Sequence, residues 1–178
     1  INANFTDSDF SEAGAQIAYS PEDVFKADLI IKIAPPSAQE LKLLKDKQSL
    51  LSILQIAMQP EGFIQQLSAK KITALAYEYL RDETQIYPVI QAMSEIVGST
   101  VILIASELLS NTSGGKGELL GGVPGIPPTE VVIIGAGTVS EYAARAAMGL
   151  GANVKIFDSS VYKLRRIQRN LGSRVHTS

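Results

Sequence analysis

The chain has 178 residues, of which 46% are hydrophobic and 19% are charged, and its net charge at pH 7 is −2. This length and apolar content allow one sizeable core or two small ones, and the nearly balanced charge gives no indication of a nucleic-acid or anionic-membrane partner. Cysteine is absent, as expected for a cytoplasmic protein without disulfides, and we find no apolar run of the length expected for a membrane span.

Apolar runs alternate with helix signals along the first 80 residues. This alternation favours an α/β domain with a mostly parallel sheet. The predicted elements, in chain order, are a helix at Phe10–Gly14, a helix at Pro21–Ala27, a strand at Leu29–Ile33, a helix from Ser37 to about Leu44, a strand at Leu50–Ile56, a helix from Pro60 to about Ala69 and a strand at Ile72–Ala76.

A long helix is predicted next, from about Ile90 to Leu109, with Pro88 at its start. Met93, Ile96 and Val97 recur there at helical spacing. Much of the surface of this helix is apolar, so we expect it to pack against another subunit and the protein to be a homo-oligomer.

Residues 113–130 are rich in glycine and proline, and we interpret them as a connection between domains. The predicted organisation is a substrate domain at 1–97, a connecting helix at 98–112 and a nucleotide-binding domain at 113–178. A Rossmann domain needs more strands than the last segment contains, so we expect both domains to be incomplete in this chain.

The stretch Val131–Asp158 predicts a βαβ unit that holds a dinucleotide. Four apolar residues suit a buried parallel strand, and the turn Gly135-Ala136-Gly137-Thr138-Val139-Ser140 follows at once. An alanine-rich helix runs to about Leu150, and a second strand, Asn153–Phe157, delivers Asp158. The spacing from Gly135 to Asp158 is close to that of the Rossmann fingerprint.

Each part of this fingerprint has a chemical role. Gly135 allows the tight turn, and Gly137 lets backbone N–H groups approach a pyrophosphate at the positive end of the helix. Ser140 stands where the third glycine is expected and is small enough for helix–strand packing. Asp158 can accept hydrogen bonds from both ribose hydroxyls, which favours NAD over NADP. The alternative is a structural glycine turn in which Asp158 caps the helix after Ser159.

Other constellations indicate no further chemistry. No Cys/His cluster has metal-ligand spacing, so no metal site is predicted. The single histidine, His176, lies in a predicted third strand at Arg174–His176 and is interpreted as a strand or surface residue. Basic residues form one face of a helix that we expect to be solvated, namely Lys163, Arg165, Arg166 and Arg169.

Several segments occur in a specific order along nearly the whole chain: FTDSDFSEAGAQI, ADLIIKIAPP, ITALAYE, AMSEIVGS, GGKGELLGGVPGIPP, VVIIGAGTVSEYAARAAMGLGANVKIFD and YKLRRI. In this order they resemble the alanine dehydrogenase and pyridine nucleotide transhydrogenase alpha-subunit family. The resemblance implies a two-domain NAD enzyme that acts on a small-molecule substrate in a cleft. We therefore expect an α/β fold with two Rossmann-like parallel-sheet domains joined by a long helix.

The resemblance also assigns cofactor contacts. It places the pyrophosphate at Gly135, Ala136, Gly137, Thr138 and Val139, the adenosine ribose at Asp158 and the rest of the adenosine beside Lys163. Met93 and Ser94 match the segment that faces the nicotinamide. The alternatives are a solvated helix lysine at Lys163, an ordinary core residue at Met93 and a hydroxyl bonded back to the preceding turn at Ser94.

Two positions depart from the alanine dehydrogenase pattern. That pattern carries a lysine that holds the keto oxygen of pyruvate and a histidine that is the proposed acid/base, and this sequence has Ala34 and Gln55 in their places. Ala34 can donate nothing. Gln55 can hydrogen-bond a carbonyl but cannot transfer a proton near pH 7.

Three functions therefore stay open. The first is oxidation of L-alanine by NAD to pyruvate and ammonia, with Gln55 as the candidate catalytic residue. The second is hydride transfer between two nicotinamides as in transhydrogenase, whose pattern also lacks the lysine. Gln85 matches a glutamine of that family's loop, although Leu80 and Pro88 replace its flanking Arg and Asp, and the alternative is an ordinary loop residue. The third is a non-catalytic NAD-binding regulator.

Overall fold

The computed structural model describes residues 4–178, which divide into two compact units after Leu80. Each unit is built on one parallel sheet of three strands. The expected α/β class with two parallel-sheet, Rossmann-like halves is therefore confirmed.

The first unit has strand order β1-β2-β3, with Leu29 opposite Ser49 and Ser49 opposite Thr73. Its core lies around the fully buried Leu50 and Phe63. Its elements are α1 (Asp7–Glu12), α2 (Pro21–Val24), β1 (Leu29–Ile31), α3 (Ala38–Leu43), β2 (Ser49–Ser52), α4 (Phe63–Ala69) and β3 (Thr73–Ala76).

Several elements of the first unit differ from their predicted bounds, and for two of them the local structure gives the reason. Helix α1 begins at Asp7 rather than Phe10, because Thr6 is its N-cap and forms a reciprocal capping box with Asp9. Strand β2 ends at Ser52 rather than Ile56, because Gln55 takes a left-handed backbone conformation with φ of 44° that a strand cannot contain.

The second unit has strand order β4-β5-β6, with Glu130 opposite Asn153 and Val154 opposite Val175. Its core is centred on Val154, Ile156 and Ile167. Its elements are α5 (Pro88–Leu109), β4 (Glu130–Ile134), α6 (Thr138–Gly149), β5 (Asn153–Phe157), α7 (Val161–Leu171) and β6 (Val175–Thr177).

The long helix α5 lies wholly in the second unit and packs against α6. The two helices meet at Gly98, where an added Cβ would lie 2.5 Å from the carbonyl oxygen of Val139 and 2.7 Å from the Cβ of Tyr142. Only glycine fits this approach. The sequence-based division, which ends the first domain at residue 97 and treats residues 98–112 as a connecting helix, stays a prediction.

The glycine-rich segment after α5 packs against the ends of two helices of the second unit. The Gly117 N–H donates to the Leu109 carbonyl at 2.8 Å, which satisfies a carbonyl at the end of α5. A Cβ at Gly121 would lie 2.4 Å from the carbonyl oxygen of Leu150, just past α6. These glycines permit backbone-to-backbone packing across the ends of two helices.

Helix α5 corrects the expectation that no segment has the length and composition of a membrane span. It has 22 residues, and its most apolar 18-residue stretch has a mean hydropathy of 1.6. Three serines, one threonine and one glycine interrupt its apolar residues, so that no long apolar run is visible in the sequence, and Glu95 and Glu107 are its charged residues. In the structure its Gly98 and Ile102 are buried, so one face of the helix is occupied within the chain.

Gly98→Ala tests the close contact between α5 and α6. The new methyl group would meet backbone atoms that cannot move separately, so we expect a loss of about 1–3 kcal/mol from overpacking, only partly offset by a helix-propensity gain of about 1 kcal/mol. Gly149→Ala is the matched control, because a Cβ there would meet nothing within 4 Å. Thermal unfolding of both variants checks this; equal stability would contradict the contact.

Candidate functional site

The turn between β4 and α6 is shaped by its two glycines. Gly135 has φ of 100°, a conformation that favours glycine, and its N–H donates to the Phe157 carbonyl at 2.7 Å. The chain therefore reverses tightly at the carboxyl end of β4. Gly137 follows as the N-cap of α6.

Gly137 itself has an ordinary extended backbone, with φ of −87° and ψ of −170°. A Cβ at this position would meet nothing within 4 Å, so neither backbone strain nor packing requires a glycine here. The start of α6 has no side-chain cap, and the N–H groups from Gly137 to Ser140 make no hydrogen bond within the described residues. The turn thus offers open space and unpaired donors together.

The remaining residues of the turn differ in exposure. Ala136 and Ser140 are buried, so Ser140 lies beneath the turn where its small size suits close helix–strand packing. Thr138 is half-buried and Val139 is exposed. The five predicted pyrophosphate contacts thus form one continuous turn, with the side chain of Ala136 directed inward.

Asp158 follows β5 and bonds to the turn with one carboxylate oxygen. Its Oδ2 accepts from the Ala136 N–H at 2.7 Å, and its Oδ1 accepts from the Ser160 N–H at 2.7 Å. The hydrogen bond from Ser160, followed by that from Ala136, lowers the pKa of Asp158 below its ordinary value despite desolvation, and the charge of Lys163 adds to the effect. Asp158 is therefore ionised at neutral pH, and it also shapes the start of α7.

Two basic side chains of α7 lie near this carboxylate and the turn. Lys163 is exposed in the first turn of α7, and its backbone N–H donates to the Ser160 hydroxyl at the N-cap. Arg166 is half-buried, and its Nη2 donates to the Ala136 carbonyl at 3.1 Å. Sequence reasoning assigned Arg166 to a solvated basic face, because periodicity does not show which turn a helix packs against.

Met93 and Ser94 lie in the first half of α5. Met93 is exposed and Ser94 is half-buried. Ser94 is one helical turn before Gly98 and shares its face, and Gly98 contacts Val139 at the start of α6. Ser94 therefore lies on the face of α5 that packs against α6, whereas Met93 lies on a neighbouring, more open part of the helix.

The first sheet places Ala34 and Gln55 after the carboxyl ends of β1 and β2, and both residues are exposed. In parallel α/β sheets, ligands bind at this edge. The left-handed backbone of Gln55 is held by Glu78, which follows β3. The Oε1 atom of Glu78 accepts hydrogen bonds from the N–H groups of Leu54 and Gln55, both at 2.9 Å.

Glu78 and Tyr77 are residues whose roles the sequence did not reveal. The second oxygen of Glu78, Oε2, is buried without a hydrogen-bond partner among the described residues. The Tyr77 hydroxyl lies 3.0 Å from the Lys32 carbonyl and 2.9 Å from the Ile33 carbonyl. The only signal was their place directly after a predicted strand, and these contacts join the ends of all three strands.

Lys32 is not free to act as a donor in place of the lysine that Ala34 replaces. Its Nζ pairs with both carboxylate oxygens of Glu40 at 2.6 Å. Burial raises the pKa of Glu40, but the hydrogen bonds from Lys32 and Ser37 outweigh it, so the pKa lies below its ordinary value. The lysine ammonium is therefore engaged by a charged partner.

Gln85 and His176 lie outside the two clusters described so far. Gln85 is in the loop before α5, where its Oε1 accepts from the Arg81 guanidinium at 3.2 Å. Arg81 also donates to the Tyr87 hydroxyl and stacks 4.8 Å above that ring. His176 is an exposed residue of β6, as predicted. Within residues 4–178, no group of three or more His, Asp or Glu side chains is placed to hold a metal ion.

Comparison with known families explains why these features occur together. The N-terminal domain of alanine dehydrogenase/PNT matches residues 1–97, and the C-terminal domain of the same family matches residues 101–178. The chain belongs to the alanine dehydrogenase/PNT family. This result confirms the resemblance that the ordered segments indicated.

Individual family members agree with this assignment. The chain is 39% identical over 178 residues to an alanine dehydrogenase of Methanococcus maripaludis, which covers 99% of this chain and 48% of that protein. It is 37% identical to alanine dehydrogenase 2 of Staphylococcus aureus, with coverages of 97% and 46%. The chain thus spans about half the length of the curated relatives that it matches.

Solved structures of the family show the same fold. An L-alanine dehydrogenase superimposes with a TM-score of 0.85 and 37% identity over 98% of this chain and 48% of that one. A transhydrogenase from Sinorhizobium meliloti superimposes with a TM-score of 0.75 and 22% identity over 98% of this chain and 49% of that one, which shows the fold alone.

Asp158→Asn tests the ionised carboxylate. Because the folded-state pKa is lowered, the charge contributes stability above the unfolded pKa of about 3.9, and this contribution is lost as the pH falls through the folded pKa. We expect the variant to be less stable at pH 7 and the difference to shrink below about pH 4. Thermal unfolding across pH checks this, with the exposed Asp46→Asn as a control for charge loss. A difference that stays constant to pH 3 would contradict it.

Proposed function

We propose that this chain contributes an NAD(H)-binding site formed by the turn between β4 and α6 and by Asp158. The carrying observation is Gly137, whose backbone suits any residue and whose missing Cβ leaves open space. A glycine at this position would let a diphosphate approach the backbone closely, which explains why the side chain is absent. The N–H groups from Gly137 to Ser140 supply donors at the positive end of α6.

Asp158 supports NAD over NADP in this proposal. Each of its oxygens accepts one backbone N–H group and keeps a lone pair for a ribose hydroxyl. The same charge would repel a 2′-phosphate. Lys163 lies near this carboxylate, in keeping with its proposed place beside the adenosine, and Ser94 with Met93 remains the proposed nicotinamide-side segment.

Gly137→Ser separates cofactor binding from folding. Serine is a preferred N-cap, so the stability of α6 should be unchanged or slightly increased. Its side chain would occupy the open space and the Ser140 N–H, so we expect NADH affinity to fall by about tenfold or more. Fluorescence titration with NADH and thermal unfolding measure the two effects.

Gly149→Ser is the matched control for this substitution. It makes the same change at the other end of α6, where a Cβ also meets nothing within 4 Å. Undiminished NADH binding by Gly137→Ser would count against the proposed pyrophosphate site.

The reaction that we propose is that of an alanine dehydrogenase-like oxidoreductase. The NAD held by the turn and Asp158 would supply a hydride acceptor for Cα of L-alanine. Loss of the hydride and of one proton from the neutral amine gives an imine, which water would hydrolyse to pyruvate and ammonia. In this chain, the exposed side chain of Gln55 is placed at the sheet edge to hydrogen-bond the substrate. Neither Ala34 nor Gln55 can accept the proton that the amine of the substrate loses. This proton must therefore pass to another group.

Purified protein with L-alanine and NAD tests this reaction directly. NADH absorbance should rise, D-alanine should serve as the unreactive control, and Gln55→Ala should lower the rate. A flat trace from folded protein that binds NADH would rule the dehydrogenase activity out.

A transhydrogenase-like reaction is the second candidate, because specific observations favour it. The keto-acid ligands are absent at Ala34 and Gln55, and Gln85 is held by Arg81 in the loop before α5. Hydride exchange between NADH and an oxidised nicotinamide analogue, without alanine turnover, would support it. NADH binding without either activity would identify a regulator.

The oligomeric state and the cellular location of the protein are also proposals. We propose a cytoplasmic homo-oligomer whose subunits contact each other through α5. Only 11% of the most apolar 18-residue stretch of this helix is buried. Ile96, Leu103 and Leu108 are each more than half exposed there. A monomeric mass by light scattering would contradict self-association.

A further inference from the structure

Arg166 has an unusual environment for a helix-surface arginine. Its Nη2 donates to the Ala136 carbonyl at 3.1 Å, whereas its Nε is buried and has no acceptor among the described residues. A buried donor without an acceptor is unfavourable. Hydrogen bonding of the guanidinium alone therefore does not explain why Arg166 lies beside the turn between β4 and α6.

Both backbone polar groups of Ala136 form hydrogen bonds with charged side chains, and these two side chains have opposite charges. Its N–H donates to Asp158 Oδ2 at 2.7 Å, and its carbonyl accepts from Arg166. In a planar trans peptide, the C=O and the following N–H point in opposite directions. Fixing the Ala136 carbonyl toward Arg166 thus fixes the Gly137 N–H away from it. Gly137 is the residue with open space around it.

We propose that Arg166 is a positioning residue for the cofactor pyrophosphate, acting through the Ala136–Gly137 peptide. This inference rests on the proposed NAD(H) site. The turn has to receive a diphosphate near the carboxylate of Asp158, which by itself repels an anion. Arg166 orients a donor toward the diphosphate and supplies a permanent positive charge next to the same turn.

Two exposed arginines of α7 provide matched controls. Arg165 and Arg169 lose the same charge from the same helix when replaced, but neither makes a hydrogen bond to the turn. The affinities of Arg166→Gln, Arg165→Gln and Arg169→Gln for ADP-ribose and for adenosine are measured by calorimetry, together with thermal unfolding and the KM for NAD.

We expect Arg166→Gln to weaken ADP-ribose binding by about tenfold or more, with less than about threefold for the two controls. Adenosine lacks the diphosphate, so its affinity should be the same for all variants. A merely structural role would lower the binding of both ligands. In turnover, KM for NAD should rise while kcat changes little, because the residue acts on binding and not on the reacting atoms.

The outcomes separate this inference from the proposed function. If the unsubstituted protein binds neither ADP-ribose nor NADH, the proposed site is wrong and the inference falls with it. If it binds them and Arg166→Gln loses no more affinity than Arg165→Gln, or loses adenosine affinity equally, only the inference is wrong. Should Arg166→Gln fail to fold, Arg166→Lys against Arg165→Lys gives the same comparison, because lysine keeps the charge without the planar fork.

Discussion

The geometry of the proposed cofactor site depends on how one buried residue, Ala136, is held. The N–H and the carbonyl of this residue are bonded to Asp158 and Arg166, which come from the strand and helix that follow in the chain. The turn is thus stabilised by charged groups across the βαβ unit rather than by its own residues. Its free N–H groups remain directed at open space at the start of α6, where the helix dipole favours an anion.

Asp158 has two roles that the sequence could not separate. It accepts the N–H of Ser160, the N-cap residue of α7, which is a structural role, and it accepts the N–H of Ala136, which places the carboxylate beside the turn where the nucleotide interpretation needs it. Both roles need an ionised carboxylate, and both hydrogen bonds lower its pKa. The two interpretations are therefore compatible, because a carboxylate has enough lone pairs for two backbone donors and a ribose.

The first unit orders the edge of its sheet at the two positions that depart from the alanine dehydrogenase pattern. Glu78 and Tyr77 fix the strand ends that carry Gln55 and Ala34. The sheet edge is thus ordered, although the side chains of Ala34 and Gln55 cannot transfer a proton. The left-handed backbone of Gln55 is held in place by two hydrogen bonds to one carboxylate oxygen, which is more order than an incidental surface loop requires.

The sequence by itself determined the alternation of strands and helices, the bounds of β5, the glycine turn and the acid at its expected distance. These follow from local signals, namely apolar periodicity, glycine conformation and spacing within one βαβ unit. Only the tertiary structure decided that α5 packs on α6 through Gly98 and that the glycine-rich segment covers helix ends. It alone assigned Arg166 and Glu78 to backbone groups far away in the sequence. Such contacts depend on which faces meet across the fold, and no local pattern of residues encodes that.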